Sequence, residues 1–186
     1  MIQKKVLTGT ENTGKNTDFI PTGEGKTETA IFAGGCFWGV EYYMQRIPGV
    51  LTVESGYIGG SIDNPTYEEV RKQGTGHAEA VRICFDPTKT NYETLAKTFF
   101  EIHDPTQEDG QGPDLGHQYR SEVFYTTSEQ KEIAEKLISL LQRKDYTVVT
   151  AVTPATTFWK AEDYHQNYYN RKGTLPYCHG YTKRFD

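Results

Sequence analysis

Segments with the pattern of β-strands alternate with segments of helical period along most of this chain. The strand-like segments are short, rich in β-branched and aromatic residues, and mostly bounded by turn-forming residues. They are Thr29–Ala33, Val50–Tyr57, Glu79–Phe85, Ser121–Tyr125 and Thr147–Val152. Such alternation predicts a β-sheet covered by helices on at least one side, in a single domain of residues 26–186. Periodicity alone leaves open whether the sheet is parallel or mixed.

Three helices are predicted between these strands. The first begins just after Gly34-Gly35, and the second is opened by Thr90 and Glu93, which have the spacing of a capping box. Thr127 or Ser128 caps the third. Their apolar faces recur at helical spacing and carry Val40, Tyr43, Met44 and Ile47, then Tyr92, Leu95, Ala96, Phe99 and Phe100, then Ile133, Ala134, Leu137, Ile138 and Leu141.

Both ends of the chain lack this periodicity. Residues 1–25 are polar, contain four glycines and show no apolar period, which predicts a flexible N-terminal arm. From Pro154 onward the pattern fades into a segment rich in Gly, Pro and Tyr. We interpret that segment as a mobile C-terminal tail of the domain.

Composition narrows the class of protein. The net charge is −5 and no run of like charge stands out, which argues against a nucleic-acid partner. No stretch reaches the length of a membrane span and the N-terminus lacks an apolar signal region, so we expect no membrane partner and a cytoplasmic location. The three cysteines are too few for a disulfide scaffold and are compatible with reactive thiols.

Cys36 follows two glycines at the predicted turn from a strand into a helix. The first N–H groups of a helix have no partner within it, and together with the helix dipole they favour an anion. We therefore expect the pKa of the Cys36 thiol to be lowered. Phe37 and Trp38 would wall a small apolar cleft beside it. A buried structural cysteine is the alternative, but the context favours a reactive thiol.

Several blocks of sequence, in this order along the chain, resemble the A-type peptide methionine sulfoxide reductases. They are Gly35–Gly39, Gly76–Val81, His103–Pro105, Gln118–Ser121, Ala161–Gln166 and Tyr177-Cys178, within a likeness that spans residues 27–181. The resemblance implies an α+β domain, a two-layer sandwich with a mixed sheet related to the ferredoxin-like fold. It also implies reduction of the S epimer of methionine sulfoxide, in repair of oxidised methionine.

Glu79 is notable without any family likeness. Alternation along its strand places it on the same side as Val81, Ile83 and Phe85. A carboxyl at the end of an apolar face loses hydration, which raises its pKa and suits it to donate a proton to a leaving oxygen. Fraying of the strand end into solvent is the alternative, and the resemblance favours the catalytic interpretation.

The resemblance assigns the other site residues. Tyr67 and Tyr119 would hold the sulfoxide oxygen together with Glu79, although their residue type alone is equally compatible with ordinary core or surface tyrosines. Asp114 lies in the long predicted loop Asp104–Gln118 and would help to shape the site. Phe37 and Trp38 would receive the S-methyl group of the substrate.

Cys178 and Cys84 differ in their surroundings. Cys178 lies in the Gly/Pro-flanked tail, where a mobile thiol can resolve a sulfenic acid, and the resemblance gives it that role. No cysteine follows it, so a two-cysteine cycle is implied. Cys84 falls mid-strand on the face opposite Glu79, which indicates a small inert residue packed in the sheet.

The implied cycle is thiol chemistry alone. Cys36 thiolate attacks the sulfoxide sulfur and becomes a sulfenic acid, Cys178 condenses with it to a disulfide, and thioredoxin reduces the disulfide. The resemblance implies a monomer that acts on methionine sulfoxide, free or in proteins, with no metal or organic cofactor. The histidines and cysteines lack the spacing of a zinc site.

Two other functions fit some of the residues. A thiol peroxidase also uses an acidic cysteine and a resolving cysteine, but it needs neither a protonated carboxyl like Glu79 nor a methyl pocket at Trp38. A peptide-binding module could use the aromatic groove, but it has no use for an acidic thiol.

Overall fold

Residues 25–186 are described in the computed structural model, so the predicted arm 1–25 lies, apart from Gly25, outside the described residues and stays a prediction. The strands are β1 (Glu28–Gly34), β2 (Val50–Ile58), β3 (Ala78–Phe85), β4 (Gly110–Gln111), β5 (Asp114–Leu115), β6 (Ser121–Tyr125), β7 (Ala151–Pro154) and β8 (Trp159–Lys160). The helices are α1 (Phe37–Met44), α2 (Tyr67–Arg71), α3 (Tyr92–Ile102), α4 (Ser128–Gln142) and α5 (Tyr168–Lys172).

Six of the strands form one mixed sheet in the order β7-β6-β1-β3-β2-β8. β6 and β7 are parallel and the other neighbours are antiparallel, while β4 and β5 form a separate hairpin. The central order β6-β1-β3-β2, with α1 after β1 and α3 after β3, is the β-α-β-β-α-β arrangement of ferredoxin-like folds. The predicted α+β class with a mixed sheet is therefore confirmed.

The main core lies between the sheet and helices α1, α3 and α4. Phe32 of β1 stacks on Phe99 of α3 with ring centroids 4.8 Å apart, and both are fully buried. Each such side chain contributes about 1.5–3 kcal/mol by leaving water. Val81 also faces this core, whereas Ala80 joins a smaller cluster on the opposite face of the sheet. The predicted alternation along β3 is thus confirmed, and it turns Glu79 toward the helices.

Three local predictions differ from the structure. Asn91 caps α3, because its Oδ1 accepts from the N–H of Thr94 at 2.9 Å, so the capping box predicted at Thr90 is wrong. The strand predicted at Thr147–Val152 begins only at Ala151, because the N–H of Val149 donates to Pro105 and not to the sheet.

The third difference concerns the predicted loop Asp104–Gln118. It contains the β4–β5 hairpin followed by a 3₁₀ turn at His117–Tyr119. Within residues 25–186, no helix is long and apolar enough to cross a membrane.

Candidate active site

Cys36 lies at the turn between β1 and α1, as the sequence predicts. Gly35 has φ +93°, a conformation that glycine adopts readily and other residues rarely do. Cys36 then occupies the N-cap position of α1, where its side chain makes no capping hydrogen bond. The thiol is buried, with only 7% of its surface exposed. The start of the helix therefore presents a nearly dehydrated sulfur.

The pKa expected for Cys36 is wrong for this state of the protein. The neighbouring Cys178 side chain, followed by burial and the charge of Glu79, raises the pKa of the Cys36 thiol. The interaction between the two thiols lowers the pKa of Cys178. Each thiol therefore shifts the ionisation of the other.

Glu79 is buried beside the N-terminus of α1. Its Oε2 accepts a hydrogen bond from the N–H of Phe37 at 3.1 Å, and only 2% of the residue is exposed. Burial raises the pKa of Glu79 to about 8, with further increases from the nearby charges of Asp114 and Cys178, although the Phe37 N–H opposes them. At neutral pH the carboxyl is protonated and can donate a hydrogen bond or a proton.

Tyr67 and Tyr119 lie close enough to Glu79 and Cys36 for those charges to shift their pKa values. Burial, followed by the charges of Glu79 and Cys36, raises the pKa of Tyr67 to about 12. Burial and the charge of Glu79 also raise the pKa of Tyr119. Both phenols thus keep their protons and are neutral donors. Tyr67 is placed by a capping box in which Thr66 and Glu69 exchange hydrogen bonds, so that α2 begins at Tyr67.

Phe37 and Trp38 form an aromatic wall next to Cys36. Phe37 is fully buried, whereas Trp38 is half-buried and stacks on Tyr168 with ring centroids 3.7 Å apart. The indole Nε1–H of Trp38 donates to Nδ1 of His165 at 3.1 Å. His165 also packs against Tyr67 with a centroid separation of 4.5 Å. The indole is therefore held in one orientation on two sides.

Asp114 and the C-terminal segment meet at the edge of this cluster. The hydroxyl of Tyr177 donates to the two Asp114 oxygens at 2.9 and 3.1 Å. After Cys178, the N–H of Thr182 donates to the carbonyl of Glu101 at 2.7 Å, and the N–H of Arg184 donates to the Glu101 carboxylate at 3.0 Å. Cys178 is buried in the same core cluster as Cys36. The mobility of the tail stays a prediction.

Three residues of the cluster were not predicted from sequence. Glu162 accepts hydrogen bonds from the Tyr57 hydroxyl at 2.8 Å and from the Tyr67 N–H at 2.9 Å, and it belongs to the same block as His165. His179 hydrogen bonds to Cys178. The signals were present, because Glu162 and His165 lie in a family-like block and His179 follows Cys178 directly.

The structure brings together Cys36, Cys178, Glu79 and the two tyrosines, whereas Cys84 is fully buried next to the end of β3. The arrangement combines a nucleophile, a neutral acid, neutral O–H donors and a second thiol, which is the equipment for a two-electron reduction at sulfur. Among residues 25–186, no three His, Cys, Asp or Glu side chains are grouped as metal ligands.

Comparison with known proteins points to one family. Residues 28–185 match the family model for peptide methionine sulfoxide reductase. A relative named peptide methionine sulfoxide reductase MsrA, from Sulfolobus acidocaldarius, is 50% identical over 152 residues, covering 81% of this chain and 86% of the relative.

Solved structures agree with these matches. The reduced form of Mxr1 from Saccharomyces cerevisiae has a TM-score of 0.79 and 29% identity, covering 84% of this chain and 92% of Mxr1. Mxr1 in complex with Trx2 has a TM-score of 0.60 over 90% of this chain and 96% of that one; at 22% identity, this likeness supports the fold alone.

Proposed function

This chain belongs to the peptide methionine sulfoxide reductase family, and on that premise we propose that it reduces the S epimer of methionine sulfoxide through Cys36. The substrate is free or protein-bound, and the reaction repairs oxidised methionine. The observation that carries the proposal is the buried Glu79 carboxyl, which is bonded to the N–H of Phe37, the residue that follows Cys36.

The first step uses the protonated state of Glu79. The sulfoxide oxygen accepts hydrogen bonds from Glu79, Tyr67 and Tyr119, and these donors draw electron density from sulfur. Cys36 thiolate attacks the sulfur while Glu79 transfers its proton to the oxygen. The oxygen is then transferred to the sulfur of Cys36, so that its bond to the substrate sulfur and the bond between the two sulfurs both break. Methionine leaves and Cys36 becomes a sulfenic acid. Asp114 shapes this part of the site and raises the pKa of Glu79.

The aromatic wall supports selection of the methyl group. Phe37 and Trp38 offer an apolar surface next to Cys36, and His165 and Tyr168 fix the indole plane. Burial of an S-methyl group against this surface is favourable, whereas burial of a charged or hydrated substituent there would cost free energy. The preference for the S epimer rests on membership of the family.

Cys178 resolves the sulfenic acid in this proposal. The mutual effect of Cys178 and Cys36 on their pKa values supports this role, in which condensation forms a disulfide with loss of water. We propose that thioredoxin reduces the disulfide. Support comes from Mxr1, which was solved in complex with Trx2, a thioredoxin. A monomeric state and a cytoplasmic location stay predictions.

The thiol-peroxidase alternative is disfavoured. A thiol peroxidase needs no buried acid beside the nucleophile. Its substrate, a small hydrophilic peroxide, gains nothing from the aromatic wall. The peptide-binding alternative is disfavoured by family membership.

The proposal is tested with the two separated sulfoxide epimers and dithiothreitol as reductant. The wild-type protein is expected to consume the S epimer and leave the R epimer untouched. Cys36→Ser should abolish consumption, because a hydroxyl at this position is far less nucleophilic than a thiolate.

The matched control is Cys84→Ser. It removes a buried thiol on the opposite face of β3 and should retain most of the activity. A folded but inactive Cys84→Ser, or an active Cys36→Ser, would refute the assignment of the nucleophile.

A further inference from the structure

His179 lies between the backbone of β1 and the sulfur of Cys178. Its Nε2 is 2.7 Å from the carbonyl oxygen of Gly34, and its Nδ1 is 3.1 Å from the Sγ of Cys178. Only 7% of the residue is exposed. Both ring nitrogens therefore have a partner, in a position that solvent barely reaches.

The partner at Nε2 determines the tautomer. A carbonyl oxygen can only accept, so Nε2 of His179 carries a hydrogen and donates it to Gly34. In a neutral imidazole the other nitrogen then has a lone pair. When the ring is neutral, Nδ1 of His179 is therefore an acceptor that faces the sulfur of Cys178.

Gly39 creates the space for this ring, because a Cβ atom on it would collide with the imidazole of His179. Gly39 lies in the first turn of α1, directly after Cys36 and the aromatic pair, so the ring packs against the same turn that presents the nucleophile. The base, the second thiol and the first thiol are thus fixed to one another by backbone contacts, as an organised site requires.

We propose that His179 is the general base of the resolving step, an inference that rests on the proposed function. Nδ1 of His179 takes the proton from the Cys178 thiol as its sulfur attacks the sulfenic sulfur of Cys36. The new S–S bond forms, the S–O bond breaks, and the hydroxide leaves with that proton as water. Cys178 sulfur is oxidised and Cys36 sulfur is reduced, so no further oxidant is needed.

A purely structural role for His179 predicts something different. The bond to Gly34 would then be the function of the ring, and any loss of it would disturb the helix start and both chemical steps alike. A base acts only on Cys178, and so affects only disulfide formation.

His179→Gln separates the two possibilities. The glutamine amide N–H can still donate to Gly34, but no base faces Cys178. The release of methionine in the first turnover should be unchanged. The rate of disulfide formation is measured by quenching samples in acid and counting the remaining thiols. This rate should fall by about 10²–10⁴-fold. The control is His117→Gln, which changes an exposed ring that bonds to Asp109, and both rates should stay as in wild type.

Raising the pH provides a second readout. Once Cys36 is a sulfenic acid, its thiol no longer lowers the pKa of Cys178. Above the ordinary cysteine pKa of about 8.5, Cys178 then ionises without a base, so disulfide formation in His179→Gln should recover toward the wild-type rate. The titratable groups that face Cys178 and His179 are Cys36, Glu79, His103, Asp114, Tyr169 and Tyr177. The same profile measured on wild type accounts for their contributions.

The experiment also distinguishes this inference from the proposed function. In a parallel arm, one equivalent of hydrogen peroxide oxidises Cys36 to the sulfenic acid without any sulfoxide. Slow disulfide formation by His179→Gln in this arm supports the role of His179 as the general base, even if the protein does not reduce sulfoxide. A wild-type rate in this arm, or equal slowing of both steps with sulfoxide, would overturn it.

A measurement that keeps His179 covers the case in which the His179→Gln variant does not fold. Nitrogen-15 NMR of Cys36→Ser, in which no second thiol lowers the pKa of Cys178, should show a protonated Nε2 and an unprotonated Nδ1 for His179. The opposite tautomer would leave Cys178 without an acceptor and would refute the proposal.

Discussion

Glu79 carries the most specific chemistry of any single residue in this protein. The carboxyl is buried beside Cys36, and dehydration raises its pKa to about 8 while the Phe37 N–H holds it in place. A carboxyl acid of this pKa is half-ionised slightly above neutrality, which is close to the optimum for proton donation at physiological pH.

The pH dependence of the first step follows from these groups. Methionine release needs a thiolate and a protonated Glu79. The rate should therefore rise as the thiol pair loses its first proton, and fall as the pH increases through about 8 and Glu79 ionises. The rate of methionine release in a single turnover, measured by quenching over about pH 5–10, should show this bell shape.

Glu79→Gln should remove the falling limb and lower the rate by about 10²–10⁴-fold, because the amide donates a hydrogen bond but no proton. Substrate binding should change little. An unchanged rate, or a falling limb that persists in the variant, would place Glu79 outside the chemistry.

At this scale the sequence predicts the orientation and the raised pKa of Glu79, but not the ionisation of Cys36. Alternation along β3 was enough to turn Glu79 toward the core. The pKa of Cys36 could not be predicted because it depends on Cys178, which is distant in sequence and near Cys36 only in the fold.

Short elements orient the side chains of the site. Helix α2 has only five residues, too few to be stable alone, and the capping box of Thr66 and Glu69 supplies the bonds that its first turn lacks. The same few residues place Tyr67, whose N–H is held by Glu162 at 2.9 Å. This box follows the pattern [ST]-x-x-E in the sequence, so it could have been predicted.

Thr66→Ala should cost about 0.5–2 kcal/mol through loss of the cap. Because the cap places Tyr67, kcat/KM for the sulfoxide should fall as well. Thr127→Ala is the matched control, since Thr127 caps α4 through the N–H of Gln130. It should lose similar stability with no change in kcat/KM. Denaturant unfolding and initial rates measure both, and equal kinetic effects would contradict a positioning role for α2.

The element predictions failed where a competing hydrogen bond decided the outcome. The strand at Ser121–Tyr125 was predicted to the residue. The next strand starts late because Val149 bonds to Pro105, and Asn91 replaces Thr90 as the cap because its side chain reaches the N–H of Thr94. These choices depend on contacts that the local pattern does not contain.

In the whole molecule, the start of the domain and its end build one site. Cys36 lies close after β1. Cys178 and His179 lie in the C-terminal segment, which hydrogen bonds to Glu101 and Asp114. No local pattern predicts this meeting, and the family resemblance was needed to pair the two cysteines. The pairing links the first chemical step to the second, so the whole cycle depends on it.

Cys178→Ser tests that cycle most directly. With the S epimer and thioredoxin as the sole reductant, the variant should release about one methionine per enzyme in a burst and then stall, leaving a dimedone-reactive sulfenic acid on Cys36. Dithiothreitol should partly restore turnover, since a small thiol can attack the sulfenic acid itself. Sustained turnover with thioredoxin alone, or the absence of any burst, would contradict the account.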